Sequence, residues 1–163
     1  MRQPTGKVEK AKHGVDLVIQ RRFKGTLDEV WESVTSSEST ARWIGPWRGE
    51  PGVGKTVVLT MSFEEGAPDE NFDIEACEPP RYLAVRSHGE YGVFLEVTLE
   101  ALGPDAVLMR FVHHVERPTL VGDFGPGWEY YLDRLVASRD GSPMPSFEEY
   151  HPSQCAYFSK QLE

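Results

Sequence analysis

Histidines, one arginine on the apolar side of a strand and one glycine-rich loop are the residues of this chain whose types and spacing could do chemistry. The five histidines are His13, His88, His113, His114 and His151. An enzyme needs an acid and a base, or a nucleophile beside a base, converging on one cavity. His113 and His114 are neighbours on a strand, so they point to opposite faces. They cannot ligate one metal together, and only one of them faces the interior. The parity of Val107, Met109 and Phe111 puts His113 inside, near the strand end, where it could meet Arg21 or a polar group of a ligand. There it is either a general base or a satisfied core or rim histidine. Cys77 and Cys155 stand far apart and in no metal-ligand spacing, which fits two ordinary thiols in a reducing compartment. The residues suggest no cofactor and no metal site.

Gly49 to Thr56 read Gly-Glu-Pro-Gly-Val-Gly-Lys-Thr, matching the phosphate-binding pattern G-x-x-x-x-G-K-T letter for letter. That loop requires a buried strand before it and a helix after it, whose first N–H groups hold the phosphates. Trp43, Pro46 and Trp47 precede it without a strand-like run, and the β-branched stretch Thr56-Val57-Val58-Leu59-Thr60 follows it. A Pro-Gly turn opening a strand is the better reading.

The elements that must position these groups are mostly strands. Val15, Leu17, Ile19, Arg21 and Phe23 share one parity, and Asp16, Gln20 and Arg22 the other. Arg21 thus lies on the apolar side, as a snorkelling edge residue or as a buried charge with a partner. Thr26 and Glu29 form a capping box for a short helix whose apolar face is Leu27, Val30, Trp31 and Val34. Ser36 and Ser37 can cap a second short helix, through Ala41, Trp43 and Ile44, that ends before Pro46. Further strands are expected around Val57–Phe63, Phe72–Ala76, Leu83–Val85, Val93–Leu99 and Val107–His113, joined by short turns in an antiparallel meander. Trp128, Tyr131, Leu132, Leu135 and Val136 then recur on one face of a long late helix, which the spacing interrupts at Gly125-Pro126-Gly127 and ends near Ser138. The fold class is α+β: a sheet with one long C-terminal helix laid across it.

At 163 residues the chain is one ordinary domain. Residues 1–11 are expected to be a flexible N-terminus, 12–139 the domain, and 140–163 an aromatic tail that packs on the body or on a second subunit of a homodimer. The formal charge of −9, with no basic run beyond Arg21-Arg22, gives no footprint for nucleic acid or for an anionic membrane. No apolar run approaches the roughly 20 residues that span a bilayer. The polar start lacks the apolar core of a secretory signal, so the cytoplasm is the expected location.

Arg21-x-Phe23, Val30-Trp31, Trp43, Cys77-Glu78-Pro79-Pro80-Arg81-Tyr82-Leu83, a strand ending in His113, and Gly127-Trp128-Glu129-x-Tyr131-Leu132-x-x-Leu135 occur here in order. Together they resemble the family named for homologues of the activator of the ninety-kilodalton heat-shock protein ATPase, a branch of the START-like, or SRPBCC, superfamily. The resemblance covers about residues 12 to 139. It implies a helix-grip fold, in which a strongly curved antiparallel sheet wraps a long C-terminal helix with an apolar cavity between them. It also implies a binder of lipids, polyketides or aromatic molecules, a cyclase-like enzyme, or a co-chaperone-type module with a chaperone partner, which suggests a stress response. The leading expectation is a noncatalytic binder, and the alternative is a cyclase-like or hydrolytic enzyme that would use His113 as base at the cavity rim. No catalytic set carries over. The expected ligand contacts are Trp43, Trp47, Phe63, Met109, Phe111, Trp128, Tyr131 and Leu135, with His113 and Arg21 as polar anchors.

Overall fold

A computed structural model describes residues 2–163. The N-terminal segment expected to be flexible instead contains an edge strand, β1 (Lys7–Lys10), paired antiparallel with β2 (Val15–Lys24). It reads as polar because an edge strand has solvent on most sides. What holds it is distant: the Thr5 and Gly6 N–H groups donate to the Glu129 carboxylate at 2.6 and 2.8 Å, and Val8 N–H donates to Gln161 Oε1.

Helix α1 (Leu27–Thr35) carries the expected reciprocal cap between Thr26 and Glu29. Helix α2 (Ser37–Thr40) is capped by the Ser36 hydroxyl, and turns continue the chain to Ile44. There follow β3 (Trp47–Arg48), β4 (Thr56–Thr60), β5 (Asp69–Glu78), β6 (Tyr82–Ser87), β7 (Phe94–Gly103) and β8 (Ala106–Val115). The eight strands form one antiparallel sheet in the order β1-β2-β8-β7-β6-β5-β4-β3. Register shifts at Ile74/Ala76 and at Ala101/Gly103 are the kind of bulge that bends a sheet. The glycine-rich loop before Thr56 opens β4 as a turn, with Gly54 N–H bonded to Ile74 O and no helix after it. Strand β4 stops at Thr60, three residues short of the end of the expected apolar run at Phe63. Phe63 therefore lies in a turn and is 38 % exposed.

Helix α3 (Val121–Asp140) is continuous through Gly125-Pro126-Gly127, where the sequence suggested an interruption. Pro126 removes one backbone donor and would ordinarily break the ladder. Here the chain is held from outside, because helix α4 (Cys155–Lys160) presses against this turn. A Cβ on Gly125 would come within 2.3 Å of the Phe158 ring, and one on Gly122 within 2.5 Å of the Ser159 hydroxyl. The tail thus packs on the body: Tyr150 and Phe158 are both fully buried. The core lies between the concave face of the sheet and α3, with Leu17, Ile19, Met109, Phe111, Leu132 and Leu135 at its centre. This is a helix-grip fold.

Candidate functional site

Where β8 ends and α3 begins, a cleft of about 250 Å³ opens between the β6–β7 loop and the first turn of α3. Its lining includes Arg86, Tyr91, Phe94, His113, Arg117 and Phe124. His113 lies at its base and is 1 % exposed. The Trp128 indole N–H donates to His113 Nδ1 at 3.1 Å. An accepting Nδ1 leaves the ring proton on Nε2, and among the described residues no partner accepts it. The Phe124 ring meets His113 edge-on at 4.6 Å.

Burial, and then the charge of neighbouring His114, push the His113 pKa down to about 4. At neutral pH His113 is therefore uncharged and is a hydrogen-bond donor through Nε2. His114 has the opposite environment on the outer face. Its Nδ1 lies 2.6 Å from Asp16 Oδ1, and its Nε2 contacts Glu96, which also accepts from the Tyr82 hydroxyl. Desolvation opposes its charge, but the hydrogen bonds to Glu96 and Asp16 outweigh it and raise the pKa above its ordinary value. The carboxylate in turn pushes the Tyr82 hydroxyl up to about 12.

These two histidines give opposite pH signatures. The lowered His113 pKa means that stability is fully present above the unfolded value near 6.5. It is lost as pH falls towards 4, by on the order of 3 kcal/mol. The raised His114 pKa means that its contribution is present below the unfolded value and lost as pH rises through the folded one. Urea midpoints from pH 4 to 8 check both. His113→Leu is expected to remove much of the wild-type slope on the acid side, and His114→Gln to remove a decline on the alkaline side. Acid slopes that coincide for wild type and His113→Leu would contradict the buried neutral ring.

The structure brings together only part of the expected contact set. Phe111 and Trp128 meet at 4.7 Å between ring centres, and Trp128 and Tyr131 at 5.9 Å, directly behind His113. Met109 and Leu135 lie in the same core, 1 % and 0 % exposed. In this structure the space expected as an apolar cavity is thus packed with these side chains. Tyr131 donates to Glu64 at 2.7 Å, and burial together with that carboxylate raises its pKa strongly. Trp43 belongs to the same buried core but, like Trp47, turns its indole N–H towards α1, the two donating to the carbonyls of Ser33 and Thr35. Phe63 is stacked under the Arg134 guanidinium, 3.6 Å from its ring centre.

Arg21 is a buried charge with partners rather than a snorkelling residue. Its guanidinium bonds Glu129 at 2.7 Å and Asp133 at 2.9 Å on α3. It does not meet His113, because the register pairs Arg21 with Met109 and Leu17 with His113. The cleft residues that sequence reasoning missed are Arg86, Tyr91, Phe94, Arg117 and Phe124. Arg117 lies over the Tyr91 ring and donates to Glu90 O, while Arg86 lies over Phe94 at 4.1 Å. Their available signal was Gly89 and Gly92 bracketing an aromatic residue in a turn.

The family model for Activator of Hsp90 ATPase homolog 1-like protein matches residues 24–138. The chain belongs to that family. The match runs from the end of β2 almost to the end of α3. Comparison with curated protein sequences gives no significant match. Among solved structures, the crystal structure of CalU16 from Micromonospora echinospora is similar at a TM-score of 0.77 and 22 % identity, over 99 % of this chain and 98 % of that one. A protein of Bordetella parapertussis, encoded by gene BPP1335, is similar at 0.70 and 22 %, over 96 % and 88 %. DynU16, a protein of the dynemicin biosynthetic locus, is similar at 0.63 and 19 %, over 80 % of this chain and 50 % of that one. At these identities the likeness shows the fold alone. Among the described residues, no helix is long and apolar enough to cross a membrane.

Proposed function

We propose that this family member binds a small, largely apolar molecule in the cleft at the β8–α3 junction, without catalysis. The observation that carries this reading is His113: a buried, neutral ring at the base of a cleft, backed by Trp128 and flanked by Phe124, with its Nε2 proton unclaimed. At its base the cleft offers a ligand aromatic faces and one buried hydrogen-bond donor, beneath a polar rim that includes Arg86 and Arg117. At about 250 Å³ the cleft admits only part of a larger molecule. A ligand reaching between sheet and helix has to displace Phe124 and then Trp128. Apolar burial at roughly 25 cal/mol per Å² drives binding, and the donor selects orientation. DynU16, which has a similar fold, belongs to a biosynthetic locus, and that supports a biosynthetic small molecule over a membrane lipid.

A ring with a pKa of about 4 is a weak general base at neutral pH, so hydrolysis or cyclisation through His113 is disfavoured. Native mass spectrometry of the purified protein, followed by denaturation and organic extraction, tests the proposal. A co-purified apolar species is expected, bound about 3- to 10-fold more weakly by His113→Phe, the range of one lost hydrogen bond, and lost in Trp128→Ala. An empty protein that shows no thermal shift with polyketides, aromatic acids or lipids would overturn the binding reading in favour of a chaperone-directed interaction module. Turnover that disappears in His113→Phe while affinity survives would overturn the noncatalytic part.

A further inference from the structure

Where the C-terminal segment packs against the start of α3, three potential metal ligands from separate parts of the chain converge. Asp123 is in the first turn of α3, His151 is in the turn before α4, and Cys155 opens α4. One ligand atom from each lies within 4.8 Å of the others. We propose that Asp123, His151 and Cys155 form a binding site for a divalent transition ion of the zinc class, which fastens the C-terminal segment to the start of α3.

The donor chemistry is the first argument. A carboxylate oxygen, an imidazole nitrogen and a thiolate sulfur are the ligand types that Zn²⁺ accepts together, and three protein ligands leave one tetrahedral position for water. Hard cations such as Mg²⁺ and Ca²⁺ do not select sulfur. Position is the second. His151 Nε2 already lies 3.0 Å from Asp123 Oδ1, and its ring is stacked on Phe147 at 13° between planes, so its orientation is fixed before any ion arrives. The close approach of Gly122 to Ser159 fixes the spacing between the two helices that carry Asp123 and Cys155. Tetrahedral zinc requires donor separations of about 3.5 Å, given bonds of ~2.0–2.3 Å, and rotamer changes at the exposed Asp123 and the partly exposed Cys155 can reach that. Charge is the third. The α3 N-terminus repels a cation, but once the ion displaces the Cys155 proton, the thiolate and the carboxylate together supply two negative charges against it. Sequence spacing hides the site because Asp123 is far from the pair, although His151 and Cys155 are four residues apart.

The test uses untagged, metal-stripped full-length protein titrated with Co²⁺ and then with Zn²⁺. The expected result is a thiolate-to-cobalt absorption in the near ultraviolet that saturates at one equivalent and is displaced by Zn²⁺. Cys155→Ser abolishes the band, and Cys77→Ser leaves it unchanged. Asp123→Asn, at an exposed position, weakens Zn²⁺ affinity by at least about 10-fold, as does His151→Ala. Absence of a saturable band, a band that survives Cys155→Ser, or unchanged affinity in Asp123→Asn would each overturn the proposal, leaving an Asp123–His151 hydrogen bond beside a bystander thiol.

Discussion

Replacing Glu129 by alanine is expected to cost about 3–5 kcal/mol of folding stability, the range for removing one partner of a buried ion pair. Glu129 is 1 % exposed and accepts from the Arg21 guanidinium, the Thr5 N–H and hydroxyl, and the Gly6 N–H. Its removal leaves the Arg21 charge, 11 % exposed, with Asp133 as its remaining carboxylate, and frees the Thr5–Gly6 segment that leads into β1. Two losses follow from one residue: an under-compensated cation inside the grip and an undocked β1. Urea unfolding followed by tryptophan fluorescence measures the first, and hydrogen exchange at Lys7–Lys10 the second. A fall in Tm of roughly 10 °C or more accompanies the stability loss. The double variant Arg21→Met/Glu129→Leu is expected to recover much of it, because neither charge is then stranded. A cost for Glu129→Ala below about 1 kcal/mol would show that the pair behaves as a surface one.

Phe158→Ala is the second large effect, expected at about 3–5 kcal/mol. Phe158 is fully buried although it lies beyond the part of the chain that matches the family. It fills the space that Gly6 and Gly125 leave open, and it meets Tyr157 edge-on at 5.0 Å. Truncating it empties the site that supports Pro126 inside α3, so helix content around Gly125 is expected to fall with stability. Hydrogen exchange of the α3 amides checks this. Stability that is unchanged by Phe158→Ala would mean that α3 tolerates Pro126 unaided. Gly125→Ala probes the same contact from the other side. It is expected to cost about 1–3 kcal/mol by overpacking, since the ring must move away from the new methyl group.

Much of the architecture was legible because it is written locally. Thr26 and Glu29 are three residues apart and cap α1 as their types require. The alternation through Val15–Phe23 and Val107–His113 fixed which side chains face inward, His113 and Arg21 included. Val57 and Val58 after Gly54-Lys55 excluded the nucleotide reading, since β-branched residues there continue as β4. The site was less legible. Parity shows that two residues point inward but not whether they meet, and a separation of four strand positions keeps Arg21 from His113. Trp128, expected as a ligand contact, also donates to His113, a pairing that only the rotation of α3 over the sheet decides.

The sequence alone determined the order of the main elements from β2 to α3, though not the short β3, together with the inward faces and the family resemblance, because these depend on residue periodicity and on caps that act within a few positions. Tertiary structure alone decided that α3 runs unbroken through Pro126, that residues 7–10 form a strand, and that Asp123, His151 and Cys155 converge. The physical reason is common to all three. Each depends on contacts between segments far apart in the chain, where helix–helix packing and buried pairing outweigh the local preference of a proline, a polar terminus or a turn.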